Sequence, residues 1–169
     1  MNNIQYATFW QRMIASVLDK IILIPLILIS YWGYNNIEFF DIYYIIPSIL
    51  FNVWFTIYLV KRYGGTPGKL IMKIKIIKQN NTLVGYKEAI LRELITLLLT
   101  SLLSILNIII ILNIQDNSYS YQSYFGNIEY YLYILLNIWI ISEFFIMLTN
   151  KKKQSLQDMM AGTIVIKNN

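Results

Sequence analysis

The chain reads as an all-α integral membrane protein: four transmembrane helices carrying a small cytosolic appendage that is either β-containing or amphipathic. Three observations predict this class. Of the 169 residues 57% are hydrophobic and 14% charged, with a mean hydropathy of +0.51, too little polar surface to cover a soluble globule of this length. Four apolar runs, about 12–32, 43–60, 93–113 and 130–149, approach the ~20 residues that cross a hydrocarbon core. All 14 Lys and Arg residues avoid the segments 33–42 and 114–129, which carry Glu38, Asp41, Asp116 and Glu129 instead.

That asymmetry orients the chain. By the positive-inside rule the basic loop 61–92, the tail 150–169 and both termini are cytoplasmic, in the cytoplasmic (inner) cell membrane, and the whole of 1–169 forms one membrane domain. The opening Met1-Asn2-Asn3-Ile4-Gln5-Tyr6 lacks the basic n-region and cleavage site of a secretory signal, so the first apolar run is expected to stay in the mature protein. Tyr31, Trp32, Tyr43, Tyr44, Tyr119, Tyr121 and Tyr130 cluster at the expected outer ends, as an interfacial aromatic belt does. The net charge of +5 comes from residues flanking the apolar runs. It predicts the lipid bilayer as partner, with anionic lipid at the cytosolic face, and no nucleic acid.

Taken in order, the first span contains Pro25, where a bend is expected, and Pro47 falls near the start of the second span, where proline costs little. In the middle loop Met72, Ile74 and Ile76 alternate with Lys73 and Lys75, the period of a half-buried strand, and Asn80-Asn81 offers a turn into Thr82-Leu83-Val84-Gly85. In the tail Ser155 is the expected N-cap of a short helix over Leu156 to Ala161, with Gly162 as C-cap and Thr163 to Lys167 as a further strand. These pieces predict a three-stranded sheet beneath the membrane. A basic amphipathic surface segment over 70–78 is the competing expectation.

Ionisable groups inside apolar runs are costly unless partnered, which singles out Asp19 and, near the cytosolic end of the fourth span, Glu143. Arg12 and Asp19 share a helical stripe but lie about 10.5 Å apart along the axis, so each needs another partner. Two carboxylates at matched depth could form a cation or proton site. The alternative is separate pairing with a nearby cation, for which Lys20, Lys69 and Arg92 are candidates. Asn52, Asn107 and Asn137, with Ser101 and Ser104, place amides and hydroxyls deeper in the spans, where interhelical hydrogen bonding is their ordinary use and a polar permeation path the rarer one. The turn Gly64-Gly65-Thr66-Pro67-Gly68-Lys69 lacks both the first glycine and the Ser/Thr of a phosphate loop. It is expected to be a rigid turn re-entering the inner interface, although its backbone N–H groups and Lys69 could also hold a carboxylate or a lipid phosphate. With neither Cys nor His in the chain, thiol chemistry, imidazole or thiolate metal sites and His-based dyads are excluded. No cofactor, no metal and no enzymatic activity are expected.

The run Phe9-Trp10-Gln11-Arg12-Met13-Ile14-Ala15-Ser16-Val17-Leu18-Asp19, the GGTPGK turn with its alternating Lys/Ile stretch, Arg92, and Leu156-Gln157-Asp158-Met159-Met160-Ala161-Gly162-Thr163 together resemble the RDD family of membrane proteins. That family is named for one arginine and two aspartates, which here would be Arg12, Asp19 and Asp158. Glu143 and the deep asparagines lie outside the resemblance. It implies a multi-pass protein for which transport of unidentified ligands, and cation/proton antiport in some members, has been proposed. Transport of a cation or small solute, or an accessory role in it, is therefore the leading expectation, with Asp19 binding or carrying the proton. The rival is a non-transporting scaffold or assembly subunit, in which Arg12, Asp19 and Asp158 form a structural ion-pair network. A homo-oligomer or a complex with another membrane protein is compatible with either.

Overall fold

The computed structural model describes residues 5–113 and 119–168. Asp116 lies outside the described residues, as do the side chains of Asp41, Tyr119 and Tyr121. Four helices are long and apolar enough to cross a membrane, at Phe9–Asn36, Ile42–Ile71, Tyr86–Ile111 and Phe125–Thr149. The described chain falls into two compact units, one comprising the chain up to Glu93 together with Glu143 onward, the other Leu94–Ser142.

In the first unit, α1 (Phe9–Asn36) begins ahead of the apolar run because Thr8 and Gln11 close a capping box that satisfies its first N–H groups. The helix runs unbroken past Pro25, so the expected bend does not interrupt it. α2 (Phe40–Val53) starts earlier than its apolar run, which puts Pro47 in the helix interior and not near its start. A π-helical stretch, Trp54–Tyr58, links α2 to α3 (Leu59–Tyr63). α3 ends at Gly64, whose φ of 80° is the left-handed conformation glycine adopts without penalty. The GGTPGK turn then becomes the one-turn helix α4 (Pro67–Ile71), with Thr66 as N-cap and Pro67 in the first turn. α4 packs on α1, and the approach is closest at Gly68: a Cβ there would fall inside the van der Waals envelope of the Ala15 carbonyl oxygen.

The alternating stretch is β1 (Ile74–Lys78), and it pairs antiparallel with β2 (Thr163–Lys167) in the register Ile76 to Val165. The strand lies two residues later than the alternation starting at Met72 indicates, because Met72 caps α4 and Lys73 turns at φ 52°. The sheet has two strands, not the expected three. Thr82 to Gly85 contributes a single bridge, Leu83 to Ile77, and Tyr6 adds another to Ile166 on the opposite edge. The amphipathic alternative over 70–78 is replaced by the end of α4 and β1. Ile74, Ile76, Ile77, Val84, Ile164 and Val165 form a buried apolar centre. By contrast, most of the apolar surface of α1 and α2 is exposed, as helices facing lipid require.

α5 (Tyr86–Asn113) and α6 (Tyr119–Thr149) begin and end in the first unit and supply the second. After α6, Asn150 accepts from the Lys152 N–H and reverses the chain into α7 (Leu156–Met160), which follows the N-cap Ser155 as expected and ends at Ala161, with Gly162 at φ 63° beyond it. Within the second unit Thr100, Ser101, Ser104 and Asn137 bond to backbone carbonyls of their own helices. Asn52 likewise accepts from Thr56 one turn on, in the first unit. The bonds these side chains make are thus within single helices, where interhelical bonds were expected.

Two glycines separate close approach from helix propensity. Gly68→Ala must push α4 away from the backbone of α1 and should lower detergent thermal stability by about 1–3 kcal/mol. Gly126→Ala, in α6 with open space around its Cβ position, should be neutral or stabilising by up to about 1 kcal/mol. Equal melting temperatures for the two variants would contradict the α1–α4 packing.

Candidate functional site

Asp158 is the most heavily engaged side chain of the appendage and is fully buried. It is the third residue of α7 and closes a capping box with Ser155, accepting from the Ser155 N–H at 3.2 Å while the Ser155 hydroxyl accepts from its own N–H. Its Oδ2 pairs with the Arg12 guanidinium at 2.6 Å, and its Oδ1 with that of Arg92. Thr163 donates to the same Oδ1, and itself accepts from Arg92 at 2.9 Å. Arg12 also donates to the Lys153 carbonyl at 2.6 Å. Three segments are thereby tied to one carboxylate: the start of α1, the start of α5 and the tail. Burial works against the charge on Asp158, but Arg92 and Arg12 outweigh it and bring its pKa down to about 2.

Asp19 makes no salt bridge within 4 Å among the described residues. Its Oδ2 accepts from the Thr66 hydroxyl at 2.5 Å and its Oδ1 from the Gly68 N–H at 2.7 Å. Thr66 is the N-cap of α4 but makes no side-chain cap bond there; its hydroxyl is turned to Asp19, and Asp19 satisfies the helix N–H in its place. Proline at the first position has no N–H, which leaves that of Gly68 as an early donor needing an acceptor. The GGTPGK backbone therefore does hold a carboxylate, and the carboxylate belongs to the same chain.

Glu143 repeats the device at the other end. It is buried near the end of α6 and its Oε1 accepts at 2.9 Å from the N–H of Gln157, the second residue of α7. Two one-turn helices are each capped from a long helix: α4 by Asp19 of α1, and α7 by Glu143 of α6.

The structure therefore joins Arg12 to Asp158 directly and places Asp19 apart from them, on Thr66 and Gly68. Asp19 belongs to a hydrogen-bonded latch, not to an ion-pair network. Asp19 and Glu143 each end on a different one-turn helix, and neither forms a salt bridge with Lys20, Lys69 or Arg92 among the described residues. Arg92 is spent on Asp158. Of the turn residues, Gly64, Gly65 and Pro67 shape the backbone, while Thr66 and Gly68 make the contacts. Sequence reasoning missed three contributors: Arg92 as the second cation on Asp158, Thr163 beside it, and Gln157 as donor to Glu143. A basic residue at the polar edge of an apolar run was the available signal for Arg92. Nothing comparable marks the other two, since their roles depend on tertiary position.

The fold and these contacts define a multi-pass helical membrane protein whose polar appendage is fastened to its long helices by charged side chains. The chain matches the family model of the RDD family over residues 6–162 and belongs to that family. No curated protein and no solved structure matches it significantly.

Removing Asp158 strands two buried guanidiniums, so Asp158→Ala should cost about 3–5 kcal/mol of stability. In a double-mutant cycle Arg12→Ala and Asp158→Ala should couple by roughly 1–3 kcal/mol, read as detergent thermal stability. Additive losses would show that the pair contributes nothing.

Because the folded pKa of Asp158 lies below its ordinary value of 3.8, its contribution is complete above that value and is lost as pH falls toward about 2. The loss should amount to about 2 kcal/mol. Stability measured from pH ~5 down to pH ~2 should decline in that window; a flat profile would be inconsistent with a charged, paired Asp158.

Proposed function

We propose that this RDD-family protein is a membrane scaffold or assembly subunit of the cytoplasmic membrane, without enzymatic chemistry, in which Arg12, Asp19 and Asp158 hold a cytosolic appendage against the first span. One observation carries the reading: the intramembrane carboxylate Asp19 is occupied by the Thr66 hydroxyl and the Gly68 N–H. A carboxylate with one oxygen on the N-cap hydroxyl of α4 and the other on an N–H of its first turn holds that helix in position. The orientation rests on the absence of Lys and Arg from 33–42 and 114–129. That the N-terminal stretch, middle loop and tail share one side of the membrane is supported by the Ala7 N–H to Val165 bond and the β1–β2 ladder between them, as an even number of crossings requires. Exposed Lys61, Arg62, Lys73, Lys151 and Lys152 on this side suit anionic headgroups.

Transport of a cation or small solute is the second reading. It is favoured by the fact that Asp19 and Glu143 have hydrogen-bond donors but no paired cation among the described residues, so either could exchange a proton or cation if its latch opened.

The two readings separate at Asp19→Asn. On the scaffold reading the amide keeps one acceptor for Thr66 or Gly68 and loses the other, lowering stability by about 1–3 kcal/mol, while proteoliposome cation/proton exchange stays at the empty-vesicle level for wild type and variant alike. Exchange by the wild type that vanishes in a folded Asp19→Asn protein would overturn the scaffold reading in favour of transport.

The chain has no native cysteine, so Asn36→Cys, Asn80→Cys and Asn168→Cys can each be labelled singly in intact cells. An impermeant reagent should reach Asn36→Cys alone. Labelling of Asn80→Cys from outside would reverse the topology.

A further inference from the structure

A helix end that lies in water shows its polar residues and hides its apolar ones. Around the Arg12–Asp158 clamp four helices of the first unit do the reverse. From Phe9 to Asp19 the exposed residues of α1 are Trp10, Ile14 and Val17, whereas Arg12 and Ala15 are buried. Trp10 and Ile14 stand two residues to either side of Arg12, about 3 Å along the axis. α1 therefore presents apolar surface at the level of the ion pair itself. In α4 the exposed residues are Leu70 and Ile71, the latter at 60%, while the neighbouring Lys69 is half-buried. In α7 they are Met159 and Met160, next to the fully buried Asp158. From Glu143 to Leu148 the exposed residues of α6 are Phe145, at 66%, and Leu148, with Glu143 turned inward.

The latches bring these faces to one zone. α4 is held on Asp19, well inside α1 (Phe9–Asn36), and α7 on Glu143, which precedes the end of α6 at Thr149. Both one-turn helices thus lie beside the long helices and not beyond their ends, and their exposed residues continue the apolar surface of α1 and α6. Farther along the chain the exposed surface turns polar: Lys73, Gln79, Asn80, Asn81, Thr82 and Lys151. That change marks where water begins. Continuity with the spans and a basic rim both fit the lipid of the bilayer as the occupant, its anionic headgroups meeting the lysines. Trp10 has the residue type favoured at headgroup depth. Lys20, exposed one residue past Asp19, can run its apolar stem along the helix and place its ammonium at the same depth.

We propose that the Arg12–Asp158–Arg92 clamp does not hang in the cytosol but is bedded in the interfacial layer of the inner leaflet, with α4 and α7 as lipid anchors. Leu70, Ile71, Met159 and Met160 contact the glycerol groups and upper acyl chains there, as Trp10 and Phe145 do on the long helices. Lipid at this level keeps water away from the charges of the clamp and strengthens their pairing. The name of the leaflet rests on the orientation given above, but the depth does not. Nor does the depth depend on whether the protein is a scaffold or a transporter.

The test is the depth of single labels on the full chain in lipid vesicles. A fluorophore is attached to Ile14→Cys, Ile71→Cys, Phe145→Cys or Met160→Cys, with Ile27→Cys, exposed farther along α1, and Asn80→Cys as references. Its quenching is read with iodide on both sides of the membrane, and with lipids carrying a nitroxide near the glycerol or near the acyl terminus. The first four labels should be quenched more by the shallow nitroxide than by the deep one, and should lose most of the iodide quenching seen at Asn80→Cys. Ile27→Cys should respond most to the deep nitroxide. Trp10 gives a reading without any label once Trp32, Trp54 and Trp139 are replaced by Phe, so a labelled variant that fails to fold does not spoil the test; lipids brominated near the glycerol should quench it. Three results would overturn the proposal. Iodide quenching of the four labels and of Trp10 as strong as at Asn80→Cys would put this surface in water. Shielding from iodide and lipid quenchers alike would put a protein surface over it. Stronger quenching by the deep nitroxide would make it part of the hydrocarbon core.

Discussion

Everything in the appendage depends on the negative charge of Asp158. A fully buried carboxylate survives only if its charge is matched and its oxygens are filled, and here both oxygens carry an arginine, with a capping N–H and a threonine hydroxyl completing the shell. Arg12 and Arg92 come from helices that begin 77 residues apart, at Phe9 and Tyr86. Neither arginine could be buried without the aspartate, nor the aspartate without them. This mutual dependence fixes where α1, α5 and the tail meet, and the two-stranded sheet then closes over the apolar side chains that the meeting brings together.

The second constraint is the use of short helices. A helix of five residues cannot satisfy its own end groups, and isolated it would not persist in water. α4 and α7 persist because other helices finish them. Asp19 takes the Gly68 N–H and Glu143 the Gln157 N–H, while the missing side chain at Gly68 lets α4 lie directly on the backbone of α1. One carboxylate thus does for each short helix what an N-cap side chain does locally. It also sets the distance between a membrane helix and the polar layer next to it.

The four spans, the tail helix behind Ser155 and the strand character of the Lys/Ile stretch were legible because each follows from local pattern: apolar length, a capping residue, a period of two. The pairing of Arg12 with Asp158 was legible in outline, since neither could be left alone and the fourth span ends a few residues before Asp158. What could not be read was the allocation of partners. In one dimension Lys20, Lys69 and Arg92 all stand as candidate partners for Asp19; in three, the GGTPGK turn supplies a better-placed hydroxyl and N–H, and Arg92 reaches the tail. The number of strands was misjudged for a similar reason. Thr82 to Gly85 has strand composition, but the turn at Asn80-Asn81 leaves room for one bridge before α5 begins.

The bond between Arg12 and Asp158 closes over 146 residues of chain, and that separation orders the protein's assembly in time. The first helix is made while its counter-ion is still unmade, and Arg12 and Arg92 are without Asp158 until the tail emerges. Asp19 waits for a shorter interval, because Thr66 and Gly68 follow it by fewer than 50 residues. The latch on α4 can therefore form during synthesis, whereas the clamp on Asp158 can form only after the fourth long helix has inserted. Docking of Asp158 on both arginines requires an even number of crossings between each arginine and the tail, so the failure of any single long helix to cross would leave at least one arginine on the far side of the bilayer from the aspartate.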